Sequence, residues 1–110
     1  MAPFYNVKGS SVSGGKVTTE LVAPNTDESG TIASLLLVNV HDSADAIVTL
    51  FVQDDPASGV TSTYELTHNV AIPPGVSLIL DNLSMFKFTN RFGLYITVGA
   101  NDLVDVIVNT

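Results

Sequence analysis

The sequence predicts an all-β protein, an antiparallel β-sandwich of jelly-roll or immunoglobulin-like type with an extended N-terminal arm. Three observations lead there. From Val17 onward apolar residues recur at every second position, the period of a strand with one buried face. These runs are rich in Val, Ile, Thr and Leu, which pack well on a pleated surface. Turn signals built from Pro, Gly, Asn and Asp separate the runs at regular short intervals, with no longer repeat that would point to a solenoid or propeller. A chain of 110 residues has room for one core. The expected division is an arm over 1–16 and a single sandwich over 17–110.

The elements follow in order. Lys8-Gly9-Ser10-Ser11-Val12-Ser13-Gly14-Gly15-Lys16 has the composition of a flexible linker, preceded by an apolar tip at Pro3, Phe4 and Tyr5. Such a segment frays unless something holds it, and a neighbouring subunit is the simplest holder. Val17, Thr19 and Leu21 alternate with polar residues in a first strand that stops near Pro24. Thr31 to Val40 places Ile32, Leu36, Val38 and Val40 on one face, and Ala46, Val48, Leu50 and Val52 continue the inward set after the polar turn 41–45. These two runs read as a hairpin.

Asp54-Asp55-Pro56-Ala57-Ser58-Gly59 is a dense loop signal, followed by a half-buried strand with Tyr64, Leu66, Val70 and Ile72. Pro73-Pro74-Gly75 forces a turn, since two prolines supply no ladder donors. Val76, Leu78 and Leu80 make a short strand. In the stretch 81–93, Leu83, Met85, Phe86 and Phe88 fit a strand, while Leu83, Phe86 and Phe92 fit a helical turn. Leu94, Ile96 and Val98 form the next strand, 99–102 turns, and Val104, Val106 and Val108 close the domain.

On three runs the faces opposite these inward sets are apolar too. Leu35 and Leu37, Ile47 and Phe51, and Leu103 and Ile107 point the other way, and within one sheet they would form an outward apolar stripe suited to a subunit interface. The alternative is that loops or the N-terminal arm cover it, or that both faces are buried within the domain. Composition agrees with surface given over to contact. Charged residues make up 14%, well below the ~25% of an average soluble domain.

The same composition excludes several functions. Net charge is −7, and Lys8, Lys16, Lys87 and Arg91 are scattered singly, which disfavours both nucleic acid and anionic membranes. Without cysteine there are no disulfides, thiolate nucleophiles or zinc–thiolate sites. Met1 to Gly15 shows no charged leader followed by an apolar stretch, and no run approaches membrane-spanning length, so synthesis in a cytoplasm is expected.

Nothing in the chain looks catalytic, and no cofactor is expected. His41 and His68 are the only histidines; His68 falls on the inward side of its strand and reads as a hydrogen-bonded core residue. No G-x-S-x-G elbow exists to seat a nucleophilic serine. The 9–16 run mimics a phosphate-binding loop but misses its spacing by one residue and has Val17 where Ser or Thr is required. Acidic residues gather at turns, where Asp bonds its own backbone; Asp54 and Asp55 are the weak candidates for a calcium site. Tyr95 lies outward and offers one small platform for a sugar, without any Trp to enlarge it. Asn82-Leu83-Ser84 matches a glycosylation sequon, which matters only on a secretory route.

Four pieces in order carry a family resemblance: the apolar strand ending in Asn39–Val40; its partner Ala46 to Val52; Val70-Ala71-Ile72-Pro73-Pro74-Gly75-Val76-Ser77-Leu78; and Val104-Asp105-Val106-Ile107-Val108. Over 31–109 the chain resembles small virion structural proteins of tailed bacteriophages, cyanophages in particular. It departs from them at Thr89-Asn90-Arg91-Phe92-Gly93, where the family usually carries an acidic-Gly turn. The resemblance implies a capsid decoration or cement protein, or else a neck or tail accessory subunit, located in the virion, homo-oligomeric, and partnered by the major capsid protein or neck and tail subunits. Phe4 and Tyr5 would anchor the arm, because aromatic side chains carry disproportionate interface energy. The rival of another class is a carbohydrate- or host-surface-binding module.

Overall fold

The computed structural model describes residues 4–9, 15–23, 32–54, 62–81, 92–100 and 102–109. These form eight strands: β1 (Phe4–Lys8), β2 (Val17–Val22), β3 (Ser34–Asn39), β4 (Ala46–Asp54), β5 (Thr63–Ile72), β6 (Ser77–Leu80), β7 (Phe92–Val98) and β8 (Leu103–Asn109). They build two four-stranded antiparallel sheets, ordered β1-β8-β3-β6 and β2-β7-β4-β5. Ladders join β1 to β8, β2 to β7, β3 to β6 and β4 to β5. The chain is thus one long hairpin turning between β4 and β5, rolled so that alternate pairs fall in opposite sheets. That arrangement is the eight-stranded jelly roll and not an immunoglobulin-like sandwich.

Two expectations change with this topology. The 31–40 and 46–52 runs do not pair as a hairpin; β3 and β4 lie in different sheets, and the 41–45 link crosses the end of the sandwich. Residues 4–8, expected in the arm, are instead an edge strand of the chain's own sheet, with Phe4 opposite Ile107 and Lys8 opposite Leu103. The reason is the alternation Phe4-Tyr5-Asn6-Val7-Lys8, which turns Tyr5 and Val7 inward. Val7 is buried, and the Tyr5 hydroxyl donates to the Leu21 carbonyl of β2, tying one sheet to the other. Gly9 then docks on the β7–β8 turn, its N–H donating to the Asp102 carbonyl at 2.8 Å.

The core lies between the sheets. Val48, Leu50, Leu94, Ile96 and Val98 face Leu35, Leu37, Val104, Val106 and Val108, all of them buried. Polar caps close one end of it. Asn39 is fully buried: its Nδ2 donates to the carbonyls of Ala44 and Ile72 (2.8 Å each) and its Oδ1 accepts from His41 N–H at 3.0 Å. Its main chain exchanges bonds with the turn before β6, where Gly75 takes the positive φ of 75° that a Pro-Pro-Gly type II turn demands. Asp102 Oδ2 accepts from Gly99 N–H (2.8 Å) and Ile47 N–H (3.1 Å) across the sheets. No buried side-chain polar atom lacks a partner among the described residues.

Candidate functional site

With the inner faces committed to the core, chemistry is left to the two outer faces. On the β1-β8-β3-β6 sheet the registers Phe4↔Ile107, Leu36↔Ile107 and Leu36↔Ile79 align four apolar side chains, one from each strand, in a single row across the sheet. The row ends on Phe4 and Ile79, which are 68% and 64% exposed. Beside it, Asn6, Asp105, Val38 and Ser77 form a second row, and Leu103 and Val40 extend the apolar surface toward Lys8. Asp105 accepts a 2.8 Å bond from Asn6 Nδ2. Lys8 and Asp105 are the only charged residues within the four strands of this sheet, and the exposed Asp81 follows β6 at its edge.

The expected stripe is therefore redrawn. Leu35 and Leu37 are 1% and 0% exposed and belong to the core, because β3 presents the opposite parity, with Leu36 and Val38 turned outward. Ile47 and Phe51 do face outward, but from the other sheet. Leu103 and Ile107 are on the apolar face as expected, joined by Leu36 and Ile79, which the alternation argument missed. Phe4 is exposed there; Tyr5 points the other way and is packed against the core.

The outer face of the β2-β7-β4-β5 sheet has a different character. Glu20, Tyr95, Phe51 and Glu65 make one row across its strands, and Thr18, Thr97 and Thr49 the next. The Phe51 and Tyr95 rings stack with centroids 5.4 Å apart and planes 13° apart. Against Phe51 lies an open groove of ≈ 320 Å³ between β4 and β5. One wall carries Gln53 Nε2 donating to Thr63 Oγ1 (2.8 Å); the other carries Thr49 Oγ1 donating to Asn69 Oδ1 (3.2 Å). His68 Nδ1 meets the Glu65 carboxylate at 3.0 Å, and His68 Nε2 lies 3.3 Å from Asn69 Nδ2.

His68 is thus exposed and not in the core. The cause is local. Two register shifts in the β4–β5 ladder, between Val48 and Leu50 and between Leu50 and Phe51, break the alternation of β5. Asn69 takes a left-handed φ of 49°, a conformation that Asn tolerates better than other residues bearing a Cβ. Together these bulges turn His68 and Asn69 outward, while Thr67 moves opposite Leu50 and accepts its N–H.

The remaining candidates sit in structural roles. His41 Nδ1 accepts the N–H groups of Ser43 and Ala44 (3.1 Å each), closing the 41–45 link. Asp54 is buried, and its Oδ1 accepts Ser62 N–H at 2.8 Å across the base of its loop. Asp55 lies outside the described residues, as do the 83–88 element and the 82–84 sequon. Among the described residues no three acidic or histidine side chains are grouped to hold a metal.

A solved structure, that of the Yersinia pseudotuberculosis-derived mitogen (YPM), is similar to the chain with a TM-score of 0.50 and 11% sequence identity. The match covers 100% of this chain and 87% of that one, and at such identity it shows the β fold alone. No family model and no curated protein matches the chain.

Proposed function

We propose that the protein is a non-enzymatic structural subunit of a virion, docked on neighbouring virion proteins through the outer face of its β1-β8-β3-β6 sheet. The row Phe4–Ile107–Leu36–Ile79 carries this reading. Exposed apolar surface organised across a whole sheet costs solubility unless a partner covers it. With Lys8 and Asp105 the only charges in its strands and Asp81 at the end of β6, the face can be dehydrated without stranding many ions. The resemblance to phage virion proteins supplies the partner class, a capsid decoration or cement role being preferred and a neck or tail position the alternative. Jelly rolls serve viral capsid and lectin domains alike, so the fold chooses neither by itself.

The test is incorporation into particles. Wild type should be present at a simple fraction of the major capsid protein by quantitative mass spectrometry of purified virions; a much lower count moves it to the neck or tail. Phe4→Ser and Ile79→Asp lie on exposed positions and should leave folding within ~0.5 kcal/mol. Each should lower incorporation by ~10-fold or more if its side chain is an interface anchor. Absence of the wild type from particles, or full incorporation of both variants, would overturn the proposal.

A further inference from the structure

We infer that the groove beside Phe51 binds a neutral glycan, one sugar ring lying on the aromatic face and its hydroxyls bonded to the polar walls. This site is on the sheet opposite the docking face, so it stays open when that face is covered and stands or falls separately. The floor is the first argument. The groove meets Phe51 and not Tyr95, and Tyr95 stacked at 5.4 Å backs the ring from the other side. The negative face of such a ring attracts the polarised C–H groups on the flat side of a pyranose.

The walls are the second argument. Gln53, Thr63, Thr49 and Asn69 each carry a donor or acceptor that now bonds a neighbour at 2.8–3.2 Å. A sugar hydroxyl both donates and accepts, so it can enter such a network without leaving a polar atom unpaired. Charge argues against other occupants. Lys16 and Glu65 both line the groove, which gives a phosphate chain no cationic track. Apart from Phe51, the residues lining the groove are polar or charged. The volume of ≈ 320 Å³ lies at the small end of the ~300–1,000 Å³ of ligand sites, enough for a short stretch of glycan.

The backbone is the third argument. Doubly shifting the β5 register and placing Asn69 at φ 49° costs ladder bonds and conformational freedom. What the distortion achieves is to put His68 and Asn69 on the groove's rim. A regular strand would have sent His68 inward.

The experiment is a ¹⁵N-amide NMR titration of the full chain with neutral trisaccharides of glucose, galactose, mannose and N-acetylglucosamine, and with a sulfated trisaccharide for comparison. At least one neutral probe should shift the amides of Thr49, Phe51, Gln53, Thr63 and Asn69 saturably below about 10 mM. Phe51→Ala should weaken that binding ~10-fold or more, and Gln53→Ala, which leaves the aromatic stack in place, should also weaken it measurably. Ile79→Asp should leave the titration unchanged, which separates this site from the docking face. No saturable shift from any neutral probe, tighter binding of the sulfated one, or undiminished binding in Gln53→Ala would each overturn the inference.

Discussion

Replacing Asn39 by Ala removes three side-chain hydrogen bonds from a fully buried position: two that Nδ2 donates to Ala44 and Ile72, and one that Oδ1 accepts from His41. A net ~1 kcal/mol for each, and a further penalty for a His41 N–H left without its acceptor, amounts to about 3–4 kcal/mol. For a domain of this size that is a fall in Tm of roughly 12–20 °C. Urea unfolding followed by circular dichroism reads the loss directly. The midpoint should drop while the m-value holds, because the surface exposed on unfolding is unchanged. Asn39→Asp sharpens the test. A carboxylate there faces two carbonyl oxygens in a buried site, so its folded pKa must rise above that of the unfolded chain. A group of that kind destabilises least when protonated, so Asn39→Asp should regain part of its deficit against wild type, compared at each pH, as pH falls below about 5. A loss under ~1 kcal/mol in Asn39→Ala would mean that water replaces these bonds, and that Asn39 does not lock the end of the sandwich.

Three further outcomes follow from named contacts. A Cβ on Gly9 would lie 1.8 Å from the Gly99 carbonyl oxygen, so Gly9→Ala must displace β1 from the 99–102 turn and should cost ~1–3 kcal/mol in chemical denaturation; Gly99→Ala, which meets only the Asp102 side chain at 3.1 Å, should cost less. Tyr5→Phe deletes the bond to Leu21 and should cost ~1 kcal/mol at neutral pH. Burial, and then the Glu20 carboxylate, hold the Tyr5 phenol above its ordinary 10.0, so the unfolded chain ionises first and wild-type stability should decline as pH rises past that value. Urea midpoints from about pH 9 to 11.5 should show a flatter decline in Tyr5→Phe. Leu37→Ala should cost ~2–5 kcal/mol and Leu36→Ala under ~1 kcal/mol by the same measurement, the reverse of what the expected β3 parity implies.

How much of this was legible in the sequence depends on where alternation carries information. In β4, Ala46, Val48, Leu50 and Val52 alternate with Ile47, Thr49, Phe51 and Gln53, and the inward set is as read. The same holds for Leu94, Ile96 and Val98 and for Val104, Val106 and Val108. Leu35-Leu36-Leu37-Val38 is apolar at every position, so period two says nothing about which face is inside. The deciding residue was Asn39, whose polarity suggests solvent but whose amide caps three main-chain groups in the core. In β5 the alternation was real on paper and undone by bulges, which leave no signal beyond an Asn able to adopt a left-handed φ. The linker composition of 8–16 concealed that Gly9 is needed for close approach. β1 was missed because five residues beside a Gly/Ser run look like a tail. The outer groove was half legible, since Tyr95 was read as outward; its partner Phe51 was assigned instead to a stripe that topology splits between two sheets.

The topology also bears on how the chain would meet a partner. A jelly roll leaves four edge strands, here β1, β6, β2 and β5, and each could in principle recruit a foreign strand. All four are poor templates. β1 has five residues and β6 four, the latter following Pro73-Pro74. β2 breaks register between Glu20 and Val22, and β5 is shifted twice. Short or bulged edges discourage strand addition, and the outer face of the β2-β7-β4-β5 sheet carries Glu20 and Glu65 at its rims. Among the described residues, the face crossed by Phe4, Ile107, Leu36 and Ile79 carries no such protection, which is in keeping with the docking proposed above. If the proposed docking holds, side-chain packing on that face, rather than strand addition, is the mode these edges leave open. The two modes separate cleanly in experiment: a proline at an outer-edge position of β6 should leave incorporation intact where Ile79→Asp abolishes it.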